Sequence, residues 1–383
     1  MVNANWNYPT RIRFGAGRVQ EVADACRTLG IERPLLVTDA GLATLPLTAD
    51  VMAHLQRAGL HAALFADVRP NPVEANLLAG VGAFRAGNHD GVVAMGGGSG
   101  LDTGKLIAFM AGQSRPVWDF EDIDDWWTRA SEDGIAPIVA VPTTAGTGSE
   151  VGRAGVLTDP ATQTKKIIFH PRLLPGIVIC DPELTVNLPP FITAGTGMDA
   201  LSHCLEAYCA PGYHPMAEGI AVEGIRLVFE NLPRVMQAPR DIVARGHMMS
   251  AAAMGATAFQ KGLGAMHALA HPIGALYDTH HGMTNAVLMP YVLAFNREVI
   301  AGKVERLAAW LGITGGFDGF VNAVLSLRSA VGIPHTLQHL GIDAGQAARI
   351  AAMAVTDPSA AGNPLPLTEA STLDLFHAAF NGS

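Results

Sequence analysis

The stretch Gly262 to Pro290, GLGAMHALAHPIGALYDTHHGMTNAVLMP, carries four histidines in an apolar, glycine-punctuated run with almost no other charge. Imidazoles at that density in apolar surroundings point to a cluster of ligating nitrogens rather than to isolated packing residues. His267 and His271 stand at i and i+4, so on a helix they share a face with Cβ atoms about 5–6 Å apart. His281 follows past a break marked by Asp278, Thr279 and Gly282. A second pair, Asp199 and His203, has the same i, i+4 spacing inside GTGMDALSHCLEAY, residues 195–208. Two helices offering Asp/His and His/His can hold one divalent cation with nitrogen and oxygen donors, a set that suits iron(II) or zinc better than calcium or magnesium.

Two further stretches have the chemistry of phosphate binding. Met95 to Lys105, MGGGSGLDTGK, follows an apolar strand-like run and opens a helix-like one. Such a turn brings bare backbone N–H groups and a helix N-terminus together, a natural seat for a pyrophosphate. The spacing is neither GxGxxG nor a Walker A motif, because Leu101 stands where the third glycine is required and Leu106 where Ser or Thr is. Pro142 to Ser149, PTTAGTGS, is a second glycine- and hydroxyl-rich loop after a strand. Loops of this kind at the carboxyl ends of neighbouring parallel strands form the crevice in which open α/β sheets bind nucleotides. Asp39, at the end of its own strand, can accept from ribose hydroxyls and would repel a 2′-phosphate, which favours NAD over NADP.

The elements that must position these groups follow from periodicity. Strand-like runs at 11–14, 34–39, 61–65, 91–95 and 136–141 alternate with helix-like spacing at 19–29, 47–58, 74–86 and 101–111, which implies a parallel sheet covered on both faces. Residues 156–190 hold short extended runs separated by turn signals and end at Pro189-Pro190. From Phe191 onward Ala, Leu and Met with helical spacing dominate. Domains of residues 1–189 (α/β) and 190–383 (all-α) are therefore expected.

At 383 residues, with 49% hydrophobic and 15% charged residues, the chain can bury two sizeable cores. A net charge of −9 without any basic run argues against nucleic acid or an anionic membrane as partner. No apolar run is long enough to span a bilayer, and MVNANWNYPTRIRFG lacks the basic and apolar regions of a leader, so a cytoplasmic location is expected. Four cysteines, Cys26, Cys180, Cys204 and Cys209, lack CxxC spacing and read as buried thiols.

With these residues assembled, the chain resembles the iron-containing (group III) alcohol dehydrogenases along essentially its full length. The resemblance rests on GGGSGLDTGK at 96–105, PTTAGTGSEV at 142–151, GMDALSHCLEAY at 197–208 and HALAHPIGALYDTHHGMTNAVLMP at 267–290, in that order. It implies the dehydroquinate synthase-like two-domain fold: an α/β dinucleotide-binding domain, a helical domain, one divalent metal (Fe2+, with Zn2+ as the alternative) in the cleft between them, and a homodimer or larger homo-oligomer. It also implies that the metal ligands are Asp199, His203, His267 and His281, with His271 near the nicotinamide as a proton relay. The matching cofactor positions are Asp39, Asn71, Gly97, Gly98, Ser99, Asp102, Thr143, Thr144, Thr147, Ser149 and Lys165, although Lys166 leaves the lysine register open by one residue. His280 and the His335/His339 pair read as structural.

The implied reaction is hydride transfer between a small primary alcohol and NAD, the cation easing loss of the hydroxyl proton or polarising the aldehyde carbonyl in reverse. Arg153 and Lys261 are the cations placeable near the cleft; together they would hold an acid-tailed aldehyde, the alternative substrate class. The metal-free maleylacetate reductases share the plan, but all four ligand positions are intact here. A lyase of the dehydroquinate synthase kind would need a basic polar pocket that the apolar 262–290 segment does not offer.

Overall fold

The computed structural model describes residues 10–382. Residues 1–9, part of the stretch MVNANWNYPTRIRFG on which the expectation about a leader rests, lie outside the described residues. The chain divides into two compact units: among the described residues, one holds 10–144 and 148–186, the other 145–147 and 187–382.

The first unit is α/β. In chain order it contains β1 (Arg11–Phe14), α1 (Val22–Thr28), β2 (Pro34–Val37), α2 (Ala40–Ala43), α3 (Pro46–Arg57), β3 (Ala63–Phe65), α4 (Glu74–Ala86), β4 (Gly91–Gly96), α5 (Gly98–Met110), β5 (Ile138–Pro142), β6 (Ala154–Asp159), β7 (Thr164–Phe169) and β8 (Ile177–Cys180). Six strands form one sheet in the order β1-β8-β5-β4-β2-β3, with every neighbour parallel, and β6 and β7 form a separate antiparallel hairpin. The central strands PLLV, GVVAMG, IVAVP and IVIC are buried at every position, as expected for strands covered on both faces. After β2 the chain passes to β3 at one edge, then returns to place β4 on the other side of β2. The carboxyl ends of β2 and β4 therefore flank a topological switch point.

Helix α5 begins at Gly98, three residues ahead of the Leu101 start expected from periodicity. Gly98, Gly100 and Gly104 lower intrinsic helicity, which makes this turn read as loop, but tertiary packing requires Gly100 and Gly104. A Cβ on Gly100 would lie 2.8 Å from the Met95 carbonyl oxygen, and one on Gly104 would lie 2.5 Å from the Ala94 Cβ. The helix is thus pressed onto β4 where only glycine fits, and its first N–H groups open directly at the end of that strand.

The second unit is helical: α6 (Pro190–Cys209), α7 (Pro215–Gln237), α8 (Ile242–Ala258), α9 (Ala265–Tyr277), α10 (His281–Trp310), α11 (Gly316–Ala330), α12 (Ala347–Val355) and α13 (Glu369–Asn381). Helix α6 is its axis, buried almost continuously from Thr193 to Cys209 and surrounded by α7, α8 and α10. Small residues let the neighbours approach: a Cβ on Gly282 of α10 would fall 2.2 Å from the Gly195 carbonyl oxygen, and one on Gly255 of α8 would fall 2.9 Å from the His203 Cβ. Residues 145–147 join this unit because Gly146 lies directly on α6, where an added Cβ would stand 2.7 Å from the Thr196 Cβ. Among the described residues no helix is long and apolar enough to cross a membrane.

Candidate active site

In the helical unit, α6 supplies Asp199 and His203 one turn apart, α9 supplies His267, and α10 begins at His281. Asp278, with φ of 52°, breaks the chain between α9 and α10 so that His281 turns back toward α6. One ligating atom from each of Asp199, His203, His267 and His281 lies within 4.8 Å of all the others. His281 Nε2 is 3.7 Å from Asp199 Oδ1. The His203 and His267 rings stack with centroids 4.8 Å apart, and the His281 ring stands 5.2 Å from His267. His271 falls outside this convergence: its ring stacks on His281 at 5.5 Å, and its Nδ1 is 2.8 Å from Asp357 Oδ2.

Burial pushes His203 down to about 4, with Asp199 opposing, so its imidazole is neutral at neutral pH and a nitrogen lone pair is available. Burial also depresses His267, but the Glu206 carboxylate at 2.6 Å, with Asp199 and Asp357, more than reverses it, and His267 sits above its ordinary value. Asp357 is destabilised as an anion by burial, yet the facing His271 and the Ser359 amide bring it below the usual carboxylate range.

The sequence reading missed three residues. Glu206 stands three positions after His203 on the same helix face, a spacing that was readable. Asn285 stands four after His281 and was equally readable. Asp357 lies 86 residues from His271, and no local pattern marks it. Asn285 Nδ2 is 2.9 Å from Asp199 Oδ1, 3.2 Å from His267 Nε2 and 3.1 Å from His281 Nε2. An amide nitrogen has two protons for those three acceptors. Asp199 and Glu206 are both buried, and among the described residues neither pairs with a lysine or arginine. The converging carboxylate and imidazole donors fit a divalent cation.

In the α/β unit, Asp39 follows β2, and Gly97 and Gly98 follow β4, which pairs with β5 in the register Gly96↔Pro142. Asp39 Oδ1 accepts the Leu42 N–H at 2.9 Å and so caps α2. Gly97 faces Thr144, whose Cγ2 would be 3.2 Å from an added Cβ, and the Thr143 N–H donates to the Gly96 carbonyl at 2.9 Å. Ser99 lies in the first turn of α5. Asp102, one turn on, is buried and accepts from the Ser149 hydroxyl and from the Val156 N–H at 3.1 Å, with Lys105 at 3.2 Å. Asp102 and Ser149 therefore tie the 148–151 loop and the β6–β7 hairpin to α5. Thr147 belongs with Ala145 and Gly146 to the helical unit. Asn71 adopts φ of 48° between two prolines, beside the point where the Pro72 carbonyl accepts the Thr158 N–H. On β7, Lys166 reaches Glu121 and Asp159, both at 3.3 Å, while Lys165 lies on the opposite face of the hairpin.

The expectation that Lys261 helps to clamp an acid tail is corrected. Its Nζ is buried and donates to the Tyr208 and Ala210 carbonyls at 3.2 and 2.6 Å and to Glu218 at 2.9 Å, so it fastens the end of α6 to α7. Arg153 lies over the Phe169 ring at 5.4 Å. His280 caps α10 by accepting the Met283 N–H, while His335 contacts Arg328 and His339 the Thr336 hydroxyl at 2.7 Å.

Residues 9–182 match the family described as iron-containing alcohol dehydrogenase, and residues 193–380 match the Fe-containing alcohol dehydrogenase family, C-terminal. The chain belongs to the iron-containing alcohol dehydrogenase family. As a member it is an oxidoreductase acting between an alcohol and a carbonyl compound. It is 38% identical to 4-hydroxybutyrate dehydrogenase of Cupriavidus necator over 377 residues, covering 96% of each chain. It is 36% identical to the NAD-dependent methanol dehydrogenase of Bacillus methanolicus, over 90% of this chain and 88% of that one. The crystal structure of a 1,3-propanediol oxidoreductase superposes with a TM-score of 0.93 at 35% identity, covering 98% of this chain and all of the other. This family fold is the two-domain α/β-plus-helical plan expected above.

Proposed function

We propose that the chain is an NAD(H)-linked, divalent-cation-dependent dehydrogenase that interconverts a small primary alcohol and its aldehyde. The observation that carries the proposal is the convergence of one carboxylate and three imidazoles within 4.8 Å. The family name favours Fe2+, and the donor set also accommodates Zn2+. NAD is favoured by Asp39, whose charge would face a 2′-phosphate, and by the methanol dehydrogenase relative, NAD-dependent by name.

When bound, the cation and the nicotinamide supply Lewis acidity at the substrate oxygen and a two-electron hydride carrier. Asp199, His203, His267 and His281 hold the cation. Gly97, Gly98 and Ser99, at the start of α5, offer N–H groups to the pyrophosphate, with Thr143, Thr144, Thr147, Asn71 and Lys165 as further cofactor contacts. Asp102 and Ser149 serve the cofactor by holding that loop. In alcohol oxidation His271 would take the hydroxyl proton at Nε2, since its Nδ1 is engaged by Asp357, while a bound nicotinamide would supply the hydride acceptor. Reduction runs the same transfers backwards. The family resemblance also supports a cytoplasmic homodimer or larger assembly, which light scattering would size.

The similarity to 4-hydroxybutyrate dehydrogenase favours a second reading, reduction of an acid-tailed aldehyde. Anaerobic NADH oxidation by Fe2+-loaded protein, comparing kcat/KM for propanal and for succinic semialdehyde with NADPH as the cofactor control, separates the two. Preference for propanal supports the first reading, and preference for the semialdehyde replaces it with the second. Turnover of neither, by protein shown to carry metal, overturns both.

A further inference from the structure

We infer that Glu206 is a positioning residue that fixes His267 as a metal ligand by holding a proton on its Nδ1. The inference rests on the reading of Asp199, His203, His267 and His281 as a cation site and adds a residue that does not touch the cation. Glu206 is 5% exposed on α6. Its Oε1 accepts the Met266 N–H at 2.7 Å, and its Oε2 lies 2.6 Å from His267 Nδ1. One carboxylate thus fastens both the first turn of α9 and the ring that the turn presents.

The other ring nitrogen of His267, Nε2, faces the convergence, 3.2 Å from Asn285 Nδ2. A neutral imidazole carries one N–H, and its other nitrogen carries the lone pair. An acceptor-only carboxylate at Nδ1 keeps the proton there and leaves Nε2 free to bind metal, the arrangement in which carboxylate–histidine pairs orient ligands and raise their basicity. Among the described residues no lysine or arginine neutralises Glu206.

Both partners of Glu206 are donors, which makes glutamine a sharp test because it keeps the shape. With its carbonyl toward Met266, its NH2 group meets His267 Nδ1 and drives the proton to Nε2, the ligating atom. With its carbonyl toward His267, its NH2 group meets the Met266 N–H and no bond forms. The first turn of α9 keeps a separate anchor, because Asn363 Oδ1 accepts the Ala265 N–H at 3.1 Å.

The experiment is Zn2+ affinity by competition with a chromophoric chelator, for metal-free wild type and Glu206→Gln, with the thermal midpoint of each metal-free protein as the folding control. The expected result is an affinity about 10–100-fold weaker in the variant, with the metal-free midpoint retained. Equal affinity in the two proteins overturns the inference and leaves the metal reading intact, whereas wild type that takes up no Zn2+ ends the metal reading and the inference with it. If the variant does not fold, 15N NMR of histidine-labelled, zinc-loaded wild type decides. A protonated Nδ1 on His267 supports the inference, and a bare Nδ1 overturns it.

Discussion

His271 Nδ1 lies 2.8 Å from Asp357 Oδ2, and this contact occupies the Nδ1 end of the imidazole. Asp357 itself caps a short turn, Pro358–Gly362, by accepting the Ser359 N–H at 2.8 Å, so a rigid carboxylate holds the ring. His271→Ala is expected to lower kcat by about 100-fold, the usual worth of a positioned proton relay. Asp357→Asn, which leaves the ring in place with weaker orientation, is expected to lower it by about tenfold. Steady-state kinetics with metal content measured alongside checks both. Full turnover in His271→Ala would remove the relay.

Gly282 is the point where α10 meets α6. An alanine Cβ there would fall 2.2 Å from the Gly195 carbonyl oxygen and 2.9 Å from the Asp199 Cβ. Backbone on one side leaves no flexible atom to yield, so Gly282→Ala should cost about 1–3 kcal/mol of stability and displace His281 from its partners. Thermal unfolding together with metal stoichiometry would record a lower midpoint and substoichiometric metal. A wild-type value for both would show that the helices separate without consequence.

Asp39→Asn keeps an oxygen that can accept the Leu42 N–H and so preserves the α2 cap, while removing the charge. Relief of at least about 1 kcal/mol of repulsion against a 2′-phosphate predicts that kcat/KM with NADPH rises by about fivefold or more relative to NADH. An unchanged ratio would place Asp39 away from the ribose.

Burial pushes Glu150 up to about 7, against the pull of a backbone amide and Lys105. A carboxyl whose folded value is raised contributes its full stability below the unfolded value of 4.5, loses it as pH rises from there to about 7, and is flat above. The lost contribution is about 3 kcal/mol. Glu150→Gln should therefore unfold at a higher temperature than wild type at pH 8, with the gap closing near pH 4.5. A gap that is the same at both pH values would contradict the raised value.

Much of this was legible along the chain. The buried runs PLLV, GVVAMG and IVAVP announce parallel strands because a sheet covered on both faces needs no polar alternation. The i, i+4 pair on α6 announces two candidate ligands because both lie within one helical turn, whereas of the α9 pair only His267 joins the cluster and His271 turns to Asp357. What could not be read depended on distant partners. The early start of α5 follows from its contact with β4, which overrides the glycine propensities. The role of Lys261 follows from two carbonyls more than 50 residues away, which turn an apparent cleft cation into a buried clasp. Asp357 is invisible because only the fold carries it to His271.

The measurement that tests the central claim most directly is NADH oxidation with propanal by protein stripped with a chelator, then reloaded anaerobically with Fe2+ or Zn2+, beside His281→Ala treated in the same way. Activity lost on stripping, restored on reloading in wild type and absent from the variant is the result expected if Asp199, His203, His267 and His281 hold a catalytic cation. Undiminished turnover by the stripped protein, with metal analysis showing none bound, would contradict it.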